Sequence, residues 1–107
     1  MSRIDKISFS FRAPAGTALP GGTVTPVKLN AGGSVIPSGS ADPIGVVCPG
    51  GTIAAGRVIS VLREAEVVEF GGTVSGTYYA GAGVMTTTAG GTQIGHTVEA
   101  DRLVVHF

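Results

Sequence analysis

The side chains that could carry acid–base, nucleophilic or metal chemistry are few in this chain, and they are scattered. Its histidines are His96 and His106, its single cysteine is Cys48, and its densest acidic run is Glu64, Glu66 and Glu69. A zinc centre draws about four nitrogen, sulfur or carboxylate ligands into one tetrahedron. Two histidines with one distant cysteine and no carboxylate pair at ligand spacing do not supply it. His96 follows Ile94-Gly95 in a predicted strand, and His106 alternates with Val105 and Phe107, so both read as strand residues. A Cys or Ser nucleophile needs a base and a group that orients the base. Cys48 ends the apolar run Val46-Val47-Cys48-Pro49, the setting of a small buried thiol.

The glutamates suggest paired carboxylates, but in Glu64-Ala65-Glu66-Val67 they alternate with apolar residues. Alternation places them on the solvent face of a strand, with Arg57 and Arg63 as the expected cross-strand partners. Glycine pairs invite a phosphate-binding reading, yet a P-loop needs Gly-Lys-Ser/Thr opening a helix, and a dinucleotide fingerprint also needs a following helix. Neither sequence is present. A biotinyl or lipoyl carrier barrel needs a lysine at a hairpin tip, and neither Lys6 nor Lys28 lies in one. No catalytic, cofactor-binding or metal-binding residue is expected, and the chain is not expected to be an enzyme.

The elements that hold these residues are short. Glycine fills 18 of 107 positions, about 17% against a usual share of about 7%. Collagen would place it at every third residue with abundant proline, whereas here it clusters in pairs beside 6 prolines. Disorder would bring low hydrophobicity and charge imbalance. This chain is 43% hydrophobic and balances 7 basic against 7 acidic residues, with a mean hydropathy of +0.40, so it is expected to fold. Its length suits one domain. With no Trp, 4 Phe and 2 Tyr, the core must come from Val, Ile and other small side chains, and stability is expected to rest partly on self-association.

Gly-Gly-Thr recurs at residues 21–23, 50–52, 71–73 and 90–92. Further turn signals fall at 31–34, 37–40, 41–43 and 81–83. Between them run apolar stretches rich in Val, Ile, Thr, Tyr and Phe: 7–11, 24–29, 34–36, 44–48, 57–62, 65–70, 76–80, 84–88, 93–98 and 103–107. Short strands at close spacing predict an all-β fold, a small single-domain β-barrel or β-sandwich. The segment Val61–Val67 reads as one or two helical turns or as a hairpin corner. Residues 21–45 and 71–95 share seven identities at one offset of 50: Gly-Gly-Thr-Val, then Gly33 with Gly83, and Ile44-Gly45 with Ile94-Gly95. The echo reads either as chance in a glycine-rich chain or as a duplicated strand-turn-strand unit. Duplication would make 24–29 equivalent to 74–79, and 44–48 to 94–98.

Residues 1–18 differ from the domain expected at 19–107. Ser2–Arg12 holds three basic residues and two phenylalanines, and Ala13-Pro14-Ala15-Gly16 then breaks the pattern. The segment is an extended N-terminal arm or an edge strand. As a strand, Ile7, Phe9 and Phe11 would face the core and Ser8 and Ser10 the water. As an arm it would offer Ile7, Phe9, Phe11 and Arg12 to a partner. Zero net charge and a pI of about 6.7 leave no electrostatic footprint for nucleic acid or anionic membrane. There is no apolar run of membrane-spanning length and no signal-peptide h-region, so synthesis in the cytoplasm is expected.

The order Leu19-Pro20-Gly21-Gly22-Thr23-Val24, Asp42-Pro43-Ile44-Gly45-Val46-Val47, Gly56-Arg57-Val58-Ile59-Ser60-Val61, Gly76-Thr77-Tyr78-Tyr79-Ala80-Gly81, Met85-Thr86-Thr87-Thr88, Gln93-Ile94-Gly95-His96-Thr97-Val98 and Leu103-Val104-Val105 resembles the capsid decoration, or cement, proteins of tailed bacteriophages. The resemblance is one of texture and order, covers most of the chain from about Leu19, and rests on no invariant motif. It implies a β-rich virion protein on the outer surface of an expanded icosahedral head, made in the host cytoplasm. The implied partners are the major capsid protein, whose subunits it would clamp, and other copies of itself in a homotrimer. A structural or receptor-binding β-module of a tail fibre, spike or baseplate has the same Gly/Thr/Val composition and is the alternative. Met1 and the strand-like end at Phe107 suggest a complete small protein rather than such a fragment.

Overall fold

The structure is a computed structural model that describes residues 2–40, 42–68, 76–81, 84–87, 89–99 and 102–107. Among the described residues there are nine strands: β1 (Arg3–Pro14), β2 (Thr25–Leu29), β3 (Val35–Pro37), β4 (Gly45–Val47), β5 (Val58–Val68), β6 (Thr77–Ala80), β7 (Met85–Thr86), β8 (Gln93–Glu99) and β9 (Arg102–His106). The fold is all-β, as the spacing of turn signals predicts. Every strand pairing is antiparallel, in one sheet of order β3-β2-β4-β5-β9-β8-β6-β7, with β1 added on β5. Of the sequence features above, Glu69, the third Gly-Gly-Thr and Gly83 lie outside the described residues.

β5 organises the molecule because it belongs to two cores. The run Val58–Val68 is one continuous strand, which corrects the expectation of a helical turn or hairpin corner over Val61–Val67. Neighbours on a strand point to opposite faces, and both Val61 and Leu62 are fully buried because each face has a core of its own. Along β1, β5, β4, β2 and β3 the sheet curls until Ala15 meets Val35 in a parallel bridge, with Gly16 N–H donating to the Val35 carbonyl at 2.7 Å. That closed ring holds Leu19, Val27, Val35, Val47, Ile59 and Val61. The other lobe, β5-β9-β8-β6-β7, covers a second core built on Leu62, Val67, Tyr78, Ile94, Leu103 and Val105. Burying these small aliphatic side chains contributes roughly 1.5–3 kcal/mol apiece, so the absence of Trp is no bar to a core.

The sheet order reads the same from both ends. β3-β2-β4-β5 on one side answers β7-β6-β8-β9 on the other, and β3 and β7 begin at Val35 and Met85, the same 50 positions apart as Gly45 and Gly95. The echo in the sequence therefore marks strands in equivalent places about an axis between β5 and β9. The match weakens at the fourth strand, where β9 is half the length of β5.

Candidate functional site

β1 is the longest strand, and among the described residues it pairs only with β5. Its register slips where Asp5 and Ser8 are extra on β1 and where Arg63 is extra on β5. Each bulge bends a strand and breaks its alternation. The consequence corrects the expectation that Ile7, Phe9 and Phe11 share a core face. Ile7 is 50% and Phe9 52% exposed, whereas Phe11 packs against the closed ring with Ala13. Arg12 is exposed. Of the four residues expected at a partner contact, three therefore lie open and Phe11 anchors the strand. Alternation in Ile7-Ser8-Phe9-Ser10-Phe11 carries no mark of a bulge, so the sequence could not separate Phe11 from the other two.

Ion pairs fasten the first half of β1. Arg102 Nη1 on β9 donates to Glu66 Oε1 on β5 and to Asp5 Oδ2 on β1, each at 3.0 Å. Lys6 Nζ lies 3.8 Å from Glu66 Oε2. Hydrogen bonds to Asp5 first and Glu66 second raise the Arg102 pKa further, so it remains a cation at any ordinary pH. These contacts replace the expected partners of the acidic run: Glu66 is held by Arg102 and Lys6, not by Arg57 or Arg63. The reason is topological, since a continuous β5 puts Arg63 and Glu64 on the same strand. Glu64 is exposed and Glu66 is half-buried in its ion pairs, so these two lie on the solvated side of β5, as their alternation suggests.

Arg63 has a different environment. Its Cζ lies 6.0 Å from the ring centres of both Phe9 on β1 and Phe107 beyond β9, and the Phe107 amide donates to the Arg63 carbonyl at 3.0 Å. The guanidinium is thus flanked by an aromatic ring on each side, within cation–π range. Its Nε is buried with no hydrogen-bond partner. No motif in the sequence announces this cluster, because its three members are 9, 63 and 107.

The remaining titratable groups form no catalytic constellation among the described residues. His96 and His106 meet edge to face with ring centres 5.8 Å apart, beside an open groove of about 410 Å³ lined by Lys6, Ser8, Glu64, Val98 and Val104 as well as His106. No group of three or more His, Cys, Asp or Glu among the described residues is arranged to hold a metal ion. Cys48 is buried, and burial pushes its thiol pKa up, away from the reactive thiolate.

No family model matches the sequence, and no curated protein matches it. A solved structure does. A protein of Mycobacterium phage Patience superimposes with a TM-score of 0.86 over 98% of this chain and 95% of that one, at 14% sequence identity. The two chains share one fold. At that identity the likeness speaks for the fold and for no particular residue of the site.

Proposed function

We propose that this chain is a capsid decoration protein of a tailed bacteriophage, a structural virion protein without enzymatic activity. It would bind the outer surface of the expanded head and brace contacts between major capsid protein subunits, as a homotrimer. The observation that carries this reading is the likeness in fold to a phage protein, which runs over nearly the whole of both chains. The physical character of the surface supports it. The open part of β1 presents Ile7 and Phe9 to solvent on a strand that is itself pinned by ion pairs, and a fixed apolar strip is suited to docking on a protein. Zero net charge leaves affinity to short-range contacts and to many copies acting together.

The test is sedimentation of the purified protein with undecorated expanded heads of the phage that encodes it. Co-pelleting in a fixed ratio to capsid subunits is the expected result. Protein left in the supernatant at every concentration, or recovered on tails instead of heads, overturns the reading.

A further inference from the structure

The sheet brings together the two histidines that the sequence keeps apart. His96 on β8 pairs with Val104 in the β8–β9 register, and His106 stands on the same face of β9 as Val104. Their rings meet edge to face with centres 5.8 Å apart. Among the described residues neither imidazole makes a hydrogen bond or an ion pair. His106 is exposed, and His96 is half-buried with neither ring nitrogen sealed, so both rings are open to a solute. The cations nearest this face are already engaged, Lys6 by Glu66 and Arg102 by Glu66 and Asp5. Glu64 lies opposite His106 in the β5–β9 register, is exposed, and makes no ion pair among the described residues. Its charge favours a cation at the pair.

We propose that His96 and His106 form a transition-metal site, in which two neutral imidazoles on adjacent strands chelate one divalent ion such as zinc. A structural zinc centre takes four protein ligands, and among the described residues no group of three His, Cys, Asp or Glu is arranged to hold a metal. The site is therefore an open one, with water in the positions that the two rings leave. Its geometry is close to what chelation needs. With Zn–N bonds of about 2.0–2.1 Å and tetrahedral angles, two imidazoles on one ion have ring centres about 5 Å apart. The observed 5.8 Å is wider by a margin that small turns of two surface side chains within their rotamer wells close. Imidazole suits zinc, copper and nickel, whereas magnesium and calcium take oxygen ligands. An ion held by both rings also staples β8 to β9, and because it binds the folded chain alone it stabilises the fold. The inference needs no capsid and is independent of the decoration reading.

The experiment titrates zinc chloride into the purified, metal-free chain by calorimetry, comparing wild type with His96→Gln, His106→Gln and Cys48→Ser and checking folding by circular dichroism. Wild type is expected to take one zinc per chain and to give no binding heat with magnesium chloride. Cys48→Ser is expected to match it, since that thiol is buried in the lobe core. Either histidine substitution is expected to weaken binding about tenfold or more. Zinc should also raise the thermal midpoint of wild type and of neither histidine variant. In the wild-type proton spectrum the ring C–H resonances of His96 and His106 are expected to move together as zinc is added. Zinc binding by both histidine variants equal to wild type overturns the site, as does one zinc shared between two chains. If a variant fails to fold, the wild-type resonances decide: with zinc in large excess, movement of only one ring, or of neither, overturns the inference.

Discussion

Gly45 on β4 and Gly95 on β8 occupy answering places in the two halves of the sheet, and neither has room for a methyl group. A Cβ at Gly45 would stand 2.5 Å from Val61 Cγ1 and 2.8 Å from the Leu62 carbonyl oxygen of β5, and a Cβ at Gly95 would overlap the Val104 carbonyl of β9. Both glycines let a strand press against the neighbour that separates it from the axis of the sheet.

Substitution at these sites tests the equivalence. Gly95→Ala meets backbone and is expected to destabilise by about 3 kcal/mol, and Gly45→Ala, where the Val61 side chain can give way in part, by about 1–3 kcal/mol. Urea unfolding followed by circular dichroism measures both. A change within about 0.5 kcal/mol at Gly95, the usual range for an unconstrained surface site, would contradict the close approach.

The same two residues mark how far the sequence was legible. Turn signals and β-branched runs placed most strands within a residue or two, because local conformational preference and burial agree in Val, Ile and Thr. They also showed Ile44-Gly45 echoed in Ile94-Gly95. What glycine was for was legible only in part. Gly22 and Gly90 take the positive φ of a turn, at 75° and 135°. Gly21 instead gives way to Gly51, where a Cβ would overlap the backbone, so two Gly-Gly-Thr turns lie against one another. Close approach between distant segments leaves no local trace. The bulges at Asp5, Ser8 and Arg63 are hidden for the same reason, since each is a relation between two strands, and with them the exposure of Phe9 and the clamp on Arg63.

Arg102 ties three strands through Asp5 and Glu66 at 3.0 Å each. Exposed ion pairs contribute little to global stability but can hold a strand end in place. Arg102→Leu is therefore expected to leave the unfolding midpoint nearly unchanged while amides of residues 4–7 exchange faster with deuterium. Unchanged protection across β1 would show that pairing with β5 alone fixes it.

Asp42 supplies a pH dependence. Its Oδ2 accepts from Lys28 Nζ and its Oδ1 from the Gly39 amide, both at 3.0 Å. The Lys28 hydrogen bond is the largest cause holding the carboxyl below its ordinary value of 3.8, opposed by desolvation. A depressed folded pKa gives stability that is present above the unfolded pKa of about 3.9 and is lost as pH falls through the lower folded value. Carbon-13 titration of the Asp42 carboxyl is expected to give a midpoint below the ordinary value, and Lys28→Met to move it upward. A midpoint unmoved by Lys28→Met would assign the shift to the backbone bonds.

Val61 and Leu62 decide whether the two cores unfold together. The side chains are adjacent on β5 and fully buried, yet Val61 belongs to the closed ring and Leu62 to the other lobe. Leu62→Ala is expected to cost about 2–5 kcal/mol, and Val61→Ala about 2 kcal/mol, by loss of buried methyl groups. A single strand cannot leave one core and stay in the other, because unpairing β5 removes the partner of β1, β4 and β9 at once. The chain should therefore behave as one cooperative unit. Tyr78 is buried in the lobe core, on the far side from Val61, and with no Trp in the chain tyrosine emission serves as its reporter. In Val61→Ala the tyrosine transition is expected to move to lower urea as far as the circular dichroism transition does. A tyrosine midpoint that stayed at the wild-type value would mean that the lobe β9-β8-β6-β7 keeps its core after the ring has opened, and that β5 joins two separately stable units.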